Sequence, residues 1–418
     1  MKIYAPADNA RPLSIAQLVV SIINLALLVV AFFGLVILLL VAPEMQGFSI
    51  DQTDQLRGML WIIAAAFLLT LPSLISSIRR LSGKPVRLIP RRLFLAASLA
   101  LVLMAPLVLL GNHLADSANG QWLFGVINVL IVFVPLWWLL ELGRLRLARD
   151  STQRQWGIST FSFYITLPVV MVVELIILGI GLLLAAVWMV QQPEFAPMLR
   201  QLEQAFSNGS FDLQDFSFDW LPLLQKPGVI IAIVSGASLV VPLIEELLKP
   251  LGVWALIKRG ITPAGGFIAG MICGASFALL ESLFSLSAVS GEDWLYTVAG
   301  RAGTGLLHLA LTGFNGWALA SSWKDGKNAR VGLTYIITVL IHGAWNLFAM
   351  VMGFSMVGEE LQLDIDPALS ASAPWVLGTL ALVMLVGVIL MNLHLRRATA
   401  EHPFAPVPPL PIAPGGLE

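Results

Sequence analysis

Apolar positions run along this chain in long unbroken stretches. They neither alternate as in a half-buried strand nor keep the spacing that leaves one helix face wet. A helix needs about 20 consecutive apolar residues to cross a hydrocarbon layer of about 30 Å. Ten stretches meet that requirement, at roughly 13–42, 57–78, 93–111, 122–141, 161–190, 228–257, 264–287, 296–322, 331–354 and 374–395. The pattern predicts an all-α, polytopic integral membrane protein. Composition agrees, since 58% of the 418 residues are apolar and 12% are charged, against about 25% charged in soluble domains. The first stretch is too long for the apolar part of a cleaved leader and reads as a retained span.

Charge between the stretches alternates in sign. Arg79, Arg80, Lys84, Arg87, Arg91 and Arg92 separate spans two and three, and Arg144, Arg146, Arg149 and Arg154 separate four and five. Lys258 and Arg259, then Lys324, Lys327 and Arg330, then Arg396 and Arg397 continue the series. The intervening loops hold Glu44, Asp51 and Asp54, then Asp212, Asp215 and Asp219, then Glu292 and Asp293, then Glu359, Glu360, Asp364 and Asp366. The excess of Lys and Arg on one side places both termini in the cytoplasm, as an even number of spans requires. The net charge of −1 comes with no basic stripe, so the bilayer is a partner and nucleic acid is not expected. The single cysteine, Cys273, excludes an internal disulfide framework and a cysteine metal site.

Two segments outside the spans stand out. Residues 191–226 mix aromatic and acidic side chains, including Phe211, Phe216, Phe218 and Trp220, and read as an interfacial element or a lid. Residues 403–411 are proline-rich and extended. The chain divides into 1–160, four amino-terminal spans; 161–227, the fifth span and the aromatic loop; 228–354, a polar-lined core; 355–396, a loop and the last span; and 397–418, a tail.

Charge inside a span is expensive and marks a site unless it serves packing. The first four spans are nearly free of it; Asn24 and Asn128 read as hydrogen-bond formers between helices. Span five carries Glu174, read as protonated or paired with a neighbour. The next four spans each carry ionisable groups: Glu245, Glu246 and Lys249 ahead of Pro250; Glu281; Arg301 with His308; and His342 with Asn346. In a helix, Glu245 and Glu246 each share a face with Lys249, His342 shares one with Asn346, and Pro250 should loosen the turn that follows the charges. Counted from the loops, Glu246, His308 and His342 fall near mid-bilayer, whereas Glu281 falls nearer the outer boundary. Glycines gather on spans seven and eight, Gly266, Gly270, Gly274, Gly313 and Gly316 among them, and permit close helix approach.

Carboxylates and imidazoles at membrane depth suit the activation of water. A glutamate can take and return a proton, and a histidine can orient the water or meet the developing oxyanion. Glu281, His308 and His342 also form a two-histidine, one-carboxylate set that would hold zinc, leaving Glu245 or Glu246 as base, with Glu246 favoured. The alternatives are a proton- or ion-coupled transporter using the same residues, a buried network that only fixes helix register, and a scaffold that recruits partners. The charged spans have no matching first half, which counts against a transporter built from repeats.

In order along the chain, Glu245-Glu246-Leu247-Leu248-Lys249, Phe277-Ala278-Leu279-Leu280-Glu281, Arg301 with His308, and His342-Gly343-Ala344-Trp345-Asn346 resemble the four motifs of the PrsW family of intramembrane proteases. That family is similar to the CAAX prenyl endopeptidase and bacteriocin-processing group; the lysine and glutamate closing the first two motifs favour PrsW. The resemblance covers about 241–348. It implies cleavage of a membrane-anchored protein, such as a single-span anti-sigma factor in a bacterial inner membrane. It implies Glu245, Glu246, Glu281, His308 and His342 as catalytic residues, supported by Lys249, Arg301 and Asn346. The family is labelled metalloprotease while the CAAX group is described as metal-independent, so zinc or no cofactor both stay open.

Overall fold

A computed structural model of the chain describes residues 11–41, 50–115 (without 86 and 91), 121–207 (without 149), 226–358 (without 258, 288, 290 and 292) and 365–401. The aromatic stretch 208–225, the proline-rich tail and the acidic Glu44, Glu292, Glu359, Glu360 and Asp364 lie outside the described residues. The regular structure of the described residues is helical, with one isolated bridge between Leu88 and Ser151.

Among the described residues, eight helices are long and apolar enough to cross a membrane, or nine if the bent pair α3 (Leu93–Val102) and α4 (Met104–Ala115) forms one span. The others run as follows. α1 is Arg11–Val41, α2 Ile50–Leu81 and α5 Gln121–Gly143. α6 (Thr152–Phe161) continues through a widened turn, Ser162–Thr166, into α7 (Leu167–Val190). A short α8 (Ala196–Ser207) precedes α9 (Pro227–Ser235), a second widened turn at Gly236–Val240, α10 (Val241–Leu248) and α11 (Leu251–Trp254). α12 (Pro263–Ser287), α13 (Asp293–Asp325), α14 (Ala329–Val357) and α15 (Pro367–Glu401) complete the chain.

The stretch read as the eighth span is α13. Its 33 residues would reach about 50 Å, long enough to cross. Its polar residues are tolerated because the helix is enclosed by protein: His308, Thr312, Asn315 and Ser321 are all buried. α12 is equally central, 78% of its most apolar window being buried, whereas α1 is 6% buried and forms the periphery.

Glycine explains why α12 and α13 form the closest pair. A Cβ on Gly266 would collide with the carbonyl oxygen of Gly316, and one on Gly274 with that of His308. The stripe Gly266, Gly270, Gly274 thus lays one backbone against the other, a contact that in a bilayer replaces the missing hydrophobic drive between helices. α5 packs on both, tied by Trp294 Nε1 donating to Asn128 Oδ1 at 2.8 Å. Asn24, by contrast, turns back on its own helix, donating to the Val20 carbonyl at 2.7 Å.

Basic helix ends are stitched together. The Thr152 N–H donates to the Arg87 carbonyl at 2.9 Å, joining the α2–α3 loop to the start of α6. Arg396 Nε donates to the Leu145 carbonyl at 2.9 Å, joining α15 to the end of α5. Loops rich in arginine therefore share one face, as their charge pattern predicts.

Candidate active site

The helix bearing the two adjacent glutamates is broken on both sides. Before it, Val241 N–H bonds back to the Gly236 carbonyl in a π-type turn. Pro242 has no N–H, so the next carbonyl, that of Ala237, loses its helical partner. Asn346 Nδ2 supplies a replacement, donating to that carbonyl at 2.8 Å. A Cβ on Gly343 would strike the Ser238 carbonyl, so α14 lies directly on the widened turn. After it, the helix stops at Leu248 and resumes at Leu251, the loosening expected of Pro250. Irregular backbone at membrane depth is tolerated where protein covers it or a cavity needs it.

This segment points Glu245, Glu246 and Lys249 inward, where they are 6%, 1% and 0% exposed. Lys249 Nζ stands 2.5 Å from Glu245 Oε2, 3.2 Å from Glu246 Oε1 and 2.6 Å from His308 Nδ1. It also lies 4.7 Å from the centre of the Phe277 ring, a cation–π contact. Glu246 is fully engaged. Its Oε1 meets His342 Nδ1 at 3.0 Å, and its Oε2 accepts from Asn315 Nδ2 at 3.2 Å. Glu245 is less so: Oε2 is 3.7 Å from His342 Nε2 and has no hydrogen bond of good geometry, close as Lys249 is. The two imidazoles meet edge to face with centroids 5.1 Å apart.

Glu281 joins from α12. Its Oε2 is 2.8 Å from His308 Nε2 and 2.8 Å from Arg301 Nη2. Arg301 and His308, two turns apart on α13, therefore converge on one carboxylate. Counting residues from the loops had set Glu281 apart from the histidines. The glycine-mediated contact of α12 with α13 brings its side chain to His308, while 36% of that side chain stays exposed on the side of Arg301.

The donors that cluster around a common point are Glu245, His308 and His342, whose nearest ligand atoms all lie within 4.8 Å of one another. The trio expected from sequence paired the histidines with Glu281 instead. Glu281 Oε2 is shared between His308 Nε2 and Arg301 Nη2, and the carboxylate with an oxygen within 4.8 Å of both rings is that of Glu245. Two imidazoles and one carboxylate, whose buried Oε2 makes no well-aligned hydrogen bond, fit a divalent ion of the zinc type.

Three further residues take part. Asn315 holds Glu246 and donates to Thr338 Oγ1 at 3.1 Å. The spacing Arg301, His308, Asn315 repeats every seven residues and could have revealed it. Thr338 is one turn before His342. Glu174, from α7, lies beside Glu245. It adds a carboxylic acid to the groups around Glu245 and Lys249.

Comparison with known proteins follows the same residues. A family model described as PrsW family intramembrane metalloprotease matches residues 167–391, just over half of the chain. The match begins at α7 and takes in every residue of the cluster. No curated protein and no solved structure matches significantly.

Proposed function

Because this chain belongs to the PrsW family of intramembrane metalloproteases, we propose that it hydrolyses a peptide bond of a membrane-anchored regulatory protein at the Glu245–His308–His342 cluster. The observation that carries the reading is the meeting of Glu245, Lys249, His308 and His342 from three separate helices in a buried site.

Glu245, whose Oε2 is paired with Lys249 but makes no well-aligned hydrogen bond, is the less fully engaged carboxylate, and we assign it the proton of the attacking water. A positioned general base contributes about 10²–10⁴-fold to rate. Glu246, saturated by Lys249, His342 and Asn315, positions the partners of Glu245 and is not itself the base. Glu174, in contact with Glu245, can share the proton until the leaving amine needs it. The Lys249 ammonium is a donor placed to meet negative charge on the scissile carbonyl oxygen. Glu281 and Arg301, on the exposed side of His308, form the mouth through which an extended substrate strand would reach the cluster. If a divalent ion takes the place of the Lys249 ammonium, Glu245, His308 and His342 would hold it, Glu245 then serving as a ligand rather than a free base, and it would supply Lewis acidity to a bound water.

The arginine-rich face is proposed to be cytoplasmic in a bacterial inner membrane, which puts both ends of the chain there. The reading is tested by reconstituting the protein with a panel of single-span membrane proteins and sequencing new termini by mass spectrometry. Cuts within or beside a span, absent with His342→Ala, are expected. Cuts confined to soluble domains, or equal cutting by the variant, would overturn it.

A further inference from the structure

A cavity of about 470 Å³ opens on the arginine-rich face between α1, α6, α11 and the end of α2. It shares no residue with the glutamate–histidine cluster. Arg80, Arg154 and Arg259 line it, and its lining residues include no carboxylate. Arg80 Nη1 donates to Gln153 Oε1 at 2.5 Å, and Arg154 Nη1 meets Asp150 at 3.2 Å. Each of these guanidinium groups has five N–H donors and so keeps others for a further acceptor. Arg154 also stands close enough to Arg80 to repel it, and an anion between them would turn that repulsion into attraction.

The other half of the cavity is apolar. Leu13 and Val20 of α1 face Phe161 and Ile165 of the sixth helix and its widened turn, with Leu256 closing the floor. Ile165 lies eleven residues beyond Arg154 along this helix, about 16 Å deeper toward the bilayer centre. A polar network holds the walls in place: Gln153 Nε2 donates to Ser14 Oγ at 2.9 Å, and Gln17 Nε2 to Ser73 Oγ at 3.0 Å.

We infer that this cavity binds an anionic phospholipid, its phosphate between Arg80 and Arg154 and an acyl chain against Phe161 and Ile165. Basic pockets between membrane helices on the cytoplasmic side recognise lipid headgroups in this way. A free phosphate would use the arginines but leave the apolar half unfilled. The floor residues Gly252, Ala255 and Leu256 follow Lys249 by only a few residues, so a bound lipid buttresses the same segment that carries the glutamates. The inference is independent of the proteolytic reading.

Native mass spectrometry of the full-length protein, titrated with phosphatidylglycerol or phosphatidylcholine, tests it. One phosphatidylglycerol should be retained in preference to phosphatidylcholine. Arg80→Ala/Arg154→Ala should weaken that binding about 30-fold, while Lys324→Ala/Lys327→Ala, which removes two charges elsewhere on the basic face, should leave it unchanged. Inorganic phosphate should not compete at millimolar concentration. On the wild type alone, phosphatidylglycerol with a photoreactive acyl chain should label the segment around Phe161 and Ile165. Equal retention of both lipids, equal loss in the two double variants, competition by phosphate, or labelling elsewhere would each overturn the assignment.

Discussion

Lys249 Nζ lies 2.6 Å from His308 Nδ1. An ammonium only donates, so Nδ1 accepts, and the ring proton is assigned to Nε2, which faces Glu281 Oε2 at 2.8 Å. The same ammonium stands 2.5 Å from Glu245 Oε2. Lys249 thus holds two of the groups that a divalent ion would take, and it stands in for that ion's charge. Metal and lysine are competitors for one place. Lys249→Met should destabilise the chelated protein by about 3–5 kcal/mol, the result of leaving buried carboxylates unpaired. Zinc should restore the melting temperature and be retained through gel filtration more tightly than by wild type. A variant that melts alike with and without zinc would show that no such exchange occurs.

The approach of α12 to α13 is what delivers Glu281 to His308. Gly274→Ala places a methyl group against the His308 carbonyl, and overpacking of that kind is expected to destabilise by about 1–3 kcal/mol. Activity should fall further than stability, because the displaced backbone is that of His308 itself. Gly353→Ala, on α14 with open space around it, is the control and should change neither. Thermal melts in detergent alongside cleavage assays read both; an active Gly274→Ala protein would show that the close contact does not position the site.

Asn346 acts on backbone. Removing its amide leaves the Ala237 carbonyl without a donor at membrane depth, a loss of about 1–3 kcal/mol. Asn346→Ala should therefore lower the melting temperature and reduce kcat by letting α10 shift. Asn346→Asp, which offers no donor when ionised, should do the same. Wild-type behaviour in both would mean that the widened turn holds without this bond.

Glu174→Gln keeps the shape of the side chain and removes its acid. If the contact with Glu245 carries the proton, kcat should drop about 10–100-fold with KM and stability nearly unchanged. An equal fall in folding and activity would mark Glu174 as a packing residue.

The all-helical membrane fold was legible because a bilayer imposes length and apolarity on every exposed span. α13 obeyed the rule less well: sheltered by its neighbours, it could afford Arg301, His308 and Asn315. Glu245, Glu246, Lys249, His308 and His342 stood out because each is a charge or an imidazole where lipid would reject it. Depth counting set Glu281 nearer the outer boundary than the histidines but could not show that its side chain reaches His308 Nε2, because that contact depends on how α12 meets α13. Asn315 and Thr338 escaped notice because uncharged polar residues are common in membrane helices. Which glutamate holds a spare oxygen was not legible at all: adjacent residues differ by about 100° around the axis, and only the partners on α13 and α14 separate them. Asn24 was misread because an asparagine can satisfy itself on its own helix.

The central claim is that Glu245 is the working carboxylate and Glu246 its support. Single-turnover cleavage of one membrane-anchored substrate by Glu245→Gln and Glu246→Gln, with zinc content and melting temperature recorded for each, tests it most directly. Glu245→Gln should fold and bind substrate yet cleave about 10²–10⁴-fold more slowly, losing zinc as well if its carboxylate ligates the ion. Glu246→Gln should lose stability first and retain more of its rate per folded molecule. Rapid cleavage by Glu245→Gln, or a Glu246→Gln protein that is stable yet inactive, would contradict the account.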